Sequence, residues 1–183
     1  MAEKKQKVRR AYLADFQRSA SGEYIYTGAT YAYSAVSGKT RKQTLIRLWL
    51  KGGAAFAAAV VQGFIPAGGM LNCVYVLLPF AAELLSACSV LWAIVRLTAG
   101  PEPIREYVYN ASAAALPGRA VLTACFAAAT LIGETVFLLL HAAERSAAGW
   151  LLCVLMAAAG VFALALRREI LAARWEKQRG AAG

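Results

Sequence analysis

The chain has 183 residues, 60% of them hydrophobic and only 16% charged, with a formal net charge of +10. Soluble domains average about 45–50% apolar and about 25% charged residues, so this composition speaks against an ordinary soluble domain and for a membrane-embedded one. The positive charge does not indicate a nucleic-acid binder, because the basic residues flank apolar runs. There they set orientation and meet anionic headgroups at about 1 kcal/mol each.

Residues 1–44 precede the first apolar run. Glu3 to Arg18 is basic and reads as a surface helix, with Tyr12, Leu13 and Phe16 on one side. Glu23 to Ser34 alternates on both sides of a Gly28-Ala29 loop, the pattern of a β-hairpin in which Tyr26 faces Tyr31 and Tyr24 faces Tyr33. An isolated hairpin is marginal in water and is expected to dock on something. It is either a cap on the helix ends or an edge for a partner protein, with Tyr24, Tyr26, Tyr31 and Tyr33 as the docking residues. Lys39 to Leu50 then runs helically into the membrane, its basic residues at the phosphates and Leu45, Leu48 and Trp49 in the interface.

Residues 45–167 form the transmembrane domain, with spans at Leu48–Ile65, Cys73–Leu97, Ala120–Leu140 and Gly149–Leu166. Each is near the roughly 20 residues that cross about 30 Å of hydrocarbon. Between the second and third spans a surface helix is predicted over about 103–116, begun by Pro103 and stopped before Pro117. The basic tail, 168–183, prolongs the fourth helix by about three turns from Arg167, with Trp175 as a membrane anchor. The fold class is therefore an all-α integral membrane protein: a four-transmembrane-helix antiparallel bundle with a short N-terminal segment containing the hairpin.

With four crossings, every basic residue except Arg145 lies on the side of the termini. The positive-inside rule places both termini in the cytoplasm and makes the chain a multi-pass inner-membrane protein whose first span is an uncleaved signal-anchor. The partners expected are the bilayer, with anionic headgroups on the cytoplasmic side, and a membrane-protein partner or a second copy. No nucleic acid is expected. Small residues four apart, such as Ala55, Ala59 and Gly63, suit close helix approach.

Chemistry concentrates on Glu83 and Glu134. A carboxylate at membrane depth costs about 2.5–3.5 kcal/mol on insertion scales, so each marks a candidate site. Helical spacing groups Tyr75, Pro79 and Ser86 with Glu83, and Thr123, Thr130 and His141 with Glu134. Gln62 on the first span can join them. Facing helices would bring the two acids together as a coupled pair holding one proton. Lys51 is the alternative partner, expected about 6 Å in depth from Glu83. Pro79 removes the hydrogen bond to the Tyr75 carbonyl, which must find another partner.

Cys73, Cys88, Cys125 and Cys153 lie in or beside spans without metal-ligand spacing, so neither metal nor cofactor is expected. No GxSxG, Walker, HExxH or dinucleotide motif occurs. The functional expectation is non-enzymatic: a small proton- or cation-linked transport unit using Glu83 and Glu134, or an accessory subunit of a membrane complex. A membrane enzyme acting on lipid is the alternative.

Overall fold

The computed structural model describes residues 16–18, 22–34 and 38–178. It is mostly helical, and four helices are long and apolar enough to cross a membrane. These are α1 (Arg41–Gln62), α3 (Val74–Ala99), α5 (Leu116–Leu140) and α6 (Ala147–Ala172). A single turn, α2 (Gly68–Asn72), joins α1 to α3, and a short helix, α4 (Glu106–Ala111), precedes α5.

Local sequence accounts for the helix ends. Thr40 and Gln43 form a reciprocal capping box at the start of α1, worth about 1 kcal/mol. Pro117 lies in the first turn of α5, where a missing N–H costs nothing. Ser146 caps α6 by accepting from the Gly149 amide at 3.2 Å. Arg145 donates to the Leu138 and Leu139 carbonyls that α5 leaves open at its C-terminus.

Each long helix buries one stripe at 3.6-residue spacing. On α1 it is Thr44, Leu48, Gly52, Ala55, Ala59 and Gln62; on α5 it is Leu116, Ala120, Thr123, Ala127, Thr130, Glu134 and Phe137. The helices form a ring in which α1 touches α3 and α6, and α5 touches the same two. A Cβ on Gly52 would lie 2.5 Å from Ile94 Cδ1, so this glycine sets how closely α1 and α3 approach.

Large aliphatic side chains fill the two ends of the interior. Leu48, Ile94, Leu97, Ile104, Leu116 and Leu166 pack at the end carrying the termini, and Met70, Val76, Phe80, Leu152 and Met156 at the other. Between them lie alanines and buried polar groups. The exterior is the reverse: Phe64, Leu85, Trp92, Ile132, Leu140, Val154 and Val161 are all exposed. Polar groups inside and apolar ones outside suit a lipid solvent rather than water.

The extramembrane expectations need correction. Tyr24–Tyr26 and Thr30–Ser34 do form strands, but they do not pair with each other. The strand β2 (Tyr24–Tyr26) pairs with β1 (Phe16–Arg18), placing Tyr26 against Phe16. The strand β3 (Thr30–Ser34) is instead the centre of a three-stranded antiparallel sheet, between β4 (Ile104–Arg105) and β5 (Arg174–Gln178). Two ladders on β3 satisfy more backbone than one hairpin can, and the three-stranded sheet packs on the helix ends. Tyr31 stacks on Tyr109 at 3.9 Å, and Trp175 meets Tyr33 edge-on at 5.4 Å. The Tyr33 hydroxyl lies 2.7 Å from Thr44 Oγ1.

The sheet also explains two other departures. The tail does not continue the fourth helix for three turns; α6 stops at Ala172 and the chain turns extended to pair with β3. The surface helix over 103–116 is reduced to Glu106–Ala111, because Ile104 and Arg105 join the sheet and Pro117 starts α5 rather than stopping its predecessor. Of the surface helix expected over Glu3–Arg18, Phe16–Arg18 is strand and the rest falls outside the described residues. Both terminal segments and the α3–α5 connection are thereby tied together at one end of the bundle.

Candidate functional site

Among the described residues three carboxyl groups are buried in the bundle, at three depths. Glu83 and Glu134 have no exposed surface and Glu169 only 8%. The antiparallel register of α3 and α5 fixes the first two. Gly133 lies against Tyr75, and Ser86 is hydrogen-bonded to Thr123 at 2.8 Å. Glu134 is thus level with Tyr75, and Glu83 lies eight residues away along α3, about 12 Å. Facing helices do not bring the acids together, so the coupled pair does not form.

Glu83 occupies the middle layer. Gln62 Nε2 donates to its Oε1 at 3.1 Å, and Thr130 lies beside the carboxyl. The Thr130 hydroxyl donates to the Phe126 carbonyl at 2.8 Å. Glu83 Oε2 and Gln62 Oε1 are both buried without a hydrogen-bond partner. The Gln62 amide thus donates to one carboxyl oxygen, and the other carboxyl oxygen is buried without a hydrogen-bond partner among the described residues.

Lys51 is not the partner of Glu83. Its ammonium lies 2.5 Å from Glu169 Oε2, and Lys39 lies 2.8 Å from Oε1, with Arg47 at 3.9 Å. The sequence reading placed Lys51 too deep. On α1 it is eleven residues from Gln62, the residue level with Glu83, or about 16 Å. Glu169 was missed because the fourth span was ended at Leu166. The signal was present: Leu166, Glu169 and Ile170 continue the buried stripe of α6 at helical spacing.

Glu134 lies near the opposite end of the bundle. Neither carboxyl oxygen has a hydrogen-bond partner among the described residues. It fits against two glycines: a Cβ on Gly69 would overlap the carboxyl, and one on Gly149 would lie 3.5 Å from Oε1. The neighbouring Gly68 borders the Glu144 carboxylate and the Phe137 ring. Gly133 also lets α5 come up to the carbonyl freed by Pro79. A Cβ there would be 3.1 Å from the Tyr75 oxygen, so the absent side chain leaves room for this close approach.

The remaining candidates divide. Ser86 joins Thr123 inside the bundle, whereas Tyr75 is 48% exposed and His141 is exposed, its ring stacked on Phe137 at 4.4 Å. Of the four tyrosines, Tyr26, Tyr31 and Tyr33 make ring contacts within the chain, and Tyr24 is largely exposed. Beside the sheet, Glu106 accepts from Lys177 at 3.1 Å and raises the lysine's pKa. No family model, no curated protein and no solved structure matches the chain.

Proposed function

We propose that this protein is a small proton-linked unit of the inner membrane, with Glu83 as its proton-binding group and both termini cytoplasmic. The hydrogen-bond count around Glu83 carries the reading. Glu83 Oε2 and Gln62 Oε1 are buried with no hydrogen-bond partner among the described residues, and a proton on the Glu83 carboxyl removes the charge that this setting leaves without a second donor. A buried ionised carboxylate without a countercharge costs several kcal/mol and neutralises instead. Lys51, the one cation on a neighbouring helix that was expected to provide it, is held by Glu169.

Glu134 is the second station, also without a countercharge and covered by Gly69. Thr130 lies one turn from Glu134 along α5 and beside Glu83, which puts it between the two acids. The orientation follows from charge, since among the described residues Arg145 is the one basic residue away from the end that carries the termini.

The test is reconstitution into vesicles containing a pH-sensitive dye, with an imposed pH gradient. Wild-type protein should dissipate the gradient and Glu83→Gln should not; equal rates would remove Glu83 from the mechanism. A lipophilic carbodiimide, which adds to neutral carboxyl groups, should label Glu83 in the folded protein. A second reading, as an accessory subunit, rests on Tyr24, which is 73% exposed beside three rings used internally. Detergent pull-down should then recover a membrane protein that Tyr24→Ala releases.

A further inference from the structure

We infer that a groove at the start of α1 binds one anionic phospholipid from the leaflet on the side of the termini. The groove has a volume of about 380 Å³ and is lined by Arg41, Lys42, Leu45, Ile46, Trp49 and Glu102. These residues are ordered by chemistry along the helix. Arg41 and Lys42 lie in its first turn, and Trp49 is eight residues further on, about 12 Å towards the apolar belt. Ile46 and Trp49 are 49% and 39% exposed. A charged head followed by an apolar stripe, with an indole at the boundary, is the profile of a phospholipid at the interface.

Charge favours an anion there. Lys39, Arg47 and Lys51, the other basic residues of this region, all face Glu169 on the α6 side. Among the described residues that line the groove the one acid is Glu102, which lies 3.7 Å from Arg41 Nε and accepts from the Tyr33 amide at 3.4 Å. Arg41 uses a terminal nitrogen to hold the Leu97 and Gly100 carbonyls, and its Nε is buried without a hydrogen-bond partner. Lys42 is exposed. Two cations against one acid leave a net positive site, which a phosphodiester matches. A free phosphate would leave Leu45, Ile46 and Trp49 uncovered. The inference is independent of the proton reading of Glu83.

The experiment places the full chain in nanodiscs of phosphatidylcholine with a minor fraction of phosphatidylglycerol and counts retained lipid by native mass spectrometry. Wild-type protein should keep one phosphatidylglycerol in preference to phosphatidylcholine. Lys42→Gln should weaken that preference about fivefold, the equivalent of one lysine at an anionic surface, and Trp49→Ala should weaken it too. Arg168→Gln removes the same charge from an exposed position elsewhere at this end of the bundle and should leave retention unchanged. Equal losses from Lys42→Gln and Arg168→Gln would reduce the effect to general electrostatics and overturn the site. So would an absence of preference in the wild type, or displacement of the lipid by millimolar inorganic phosphate. Arg41 is left intact because it also holds the end of α3.

Discussion

The pairing of Gln62 with Glu83 makes a quantitative prediction. Gln62→Leu removes the amide that donates to Glu83 Oε1 from 3.1 Å, in a layer with no exposed surface. An unsatisfied buried polar group costs about 1–3 kcal/mol. For a chain of this size, about 1 kcal/mol shifts the midpoint by roughly 2–4 °C, so the loss should be about 2–12 °C. Glu83→Leu strands the Gln62 amide and should cost a similar amount. The double substitution leaves neither group behind and replaces both with apolar side chains of similar size, which is close to neutral. The cycle should therefore return a coupling equal to the two single losses together, about 2–6 kcal/mol. Glu83→Gln keeps a donor in place of the acid's proton and should shift stability by less than about 1 kcal/mol. Thermal unfolding in detergent, followed by far-ultraviolet circular dichroism, measures all four. A double variant as unstable as the sum of the single ones would refute the pairing and, with it, the hydrogen-bond count on which the proton reading rests.

Gly69→Ala should destabilise by about 1–3 kcal/mol through overpacking against Glu134, and a Glu134→Ala background should relieve most of that loss; no relief would show that the glycine is there for another reason. Glu169→Gln should be more damaging than Lys51→Met. The first leaves Lys39, Lys51 and Arg47 repelling one another around a lost carboxylate, whereas the second leaves Lys39 still paired. The lysines are about a third exposed, so the difference should be modest, near 1 kcal/mol, and should shrink in high salt; equal losses would refute the shared-carboxylate arrangement. Deleting the chain after Ala173 removes β5 and Trp175 and should uncover Tyr31 and Tyr33. Protease digestion should then cleave near β3 while the helical signal persists, and an uncleaved β3 would count against the sheet.

The four helices were legible because their apolar runs match the thickness of a bilayer and their buried stripes recur at helical spacing. The candidate acids were legible for the same reason: a carboxyl within such a run stands out against its neighbours. Their partners were not. Lys51 and Glu83 looked adjacent when depths were counted from the ends of two apolar runs, but α1 begins at Arg41, well before its hydrophobic stretch. Its true register sets Gln62 against Glu83 and Lys51 against Glu169. A shift of a few residues at 1.5 Å each exchanges one partner for another.

The tyrosine-rich segment shows the same division. Alternation and glycine identified extended structure at residues 24–26 and 30–34, both of which are strands. Local pattern then favoured the nearest partner in sequence, whereas on one edge β3 pairs with residues 140 or more positions away. Backbone hydrogen bonds are alike wherever they form, so strand pairing is decided by which edges the packed helices bring together. The sequence by itself determined a chain of four apolar helices with acids inside the apolar runs and positive charge gathered outside them. Only the tertiary structure decided which helix faces which, and hence that Glu83 meets an amide and a hydroxyl while its expected lysine is taken by Glu169. Hydrophobicity and helical period are properties of a segment, but a buried carboxyl's partner depends on the rotation and register of its neighbours.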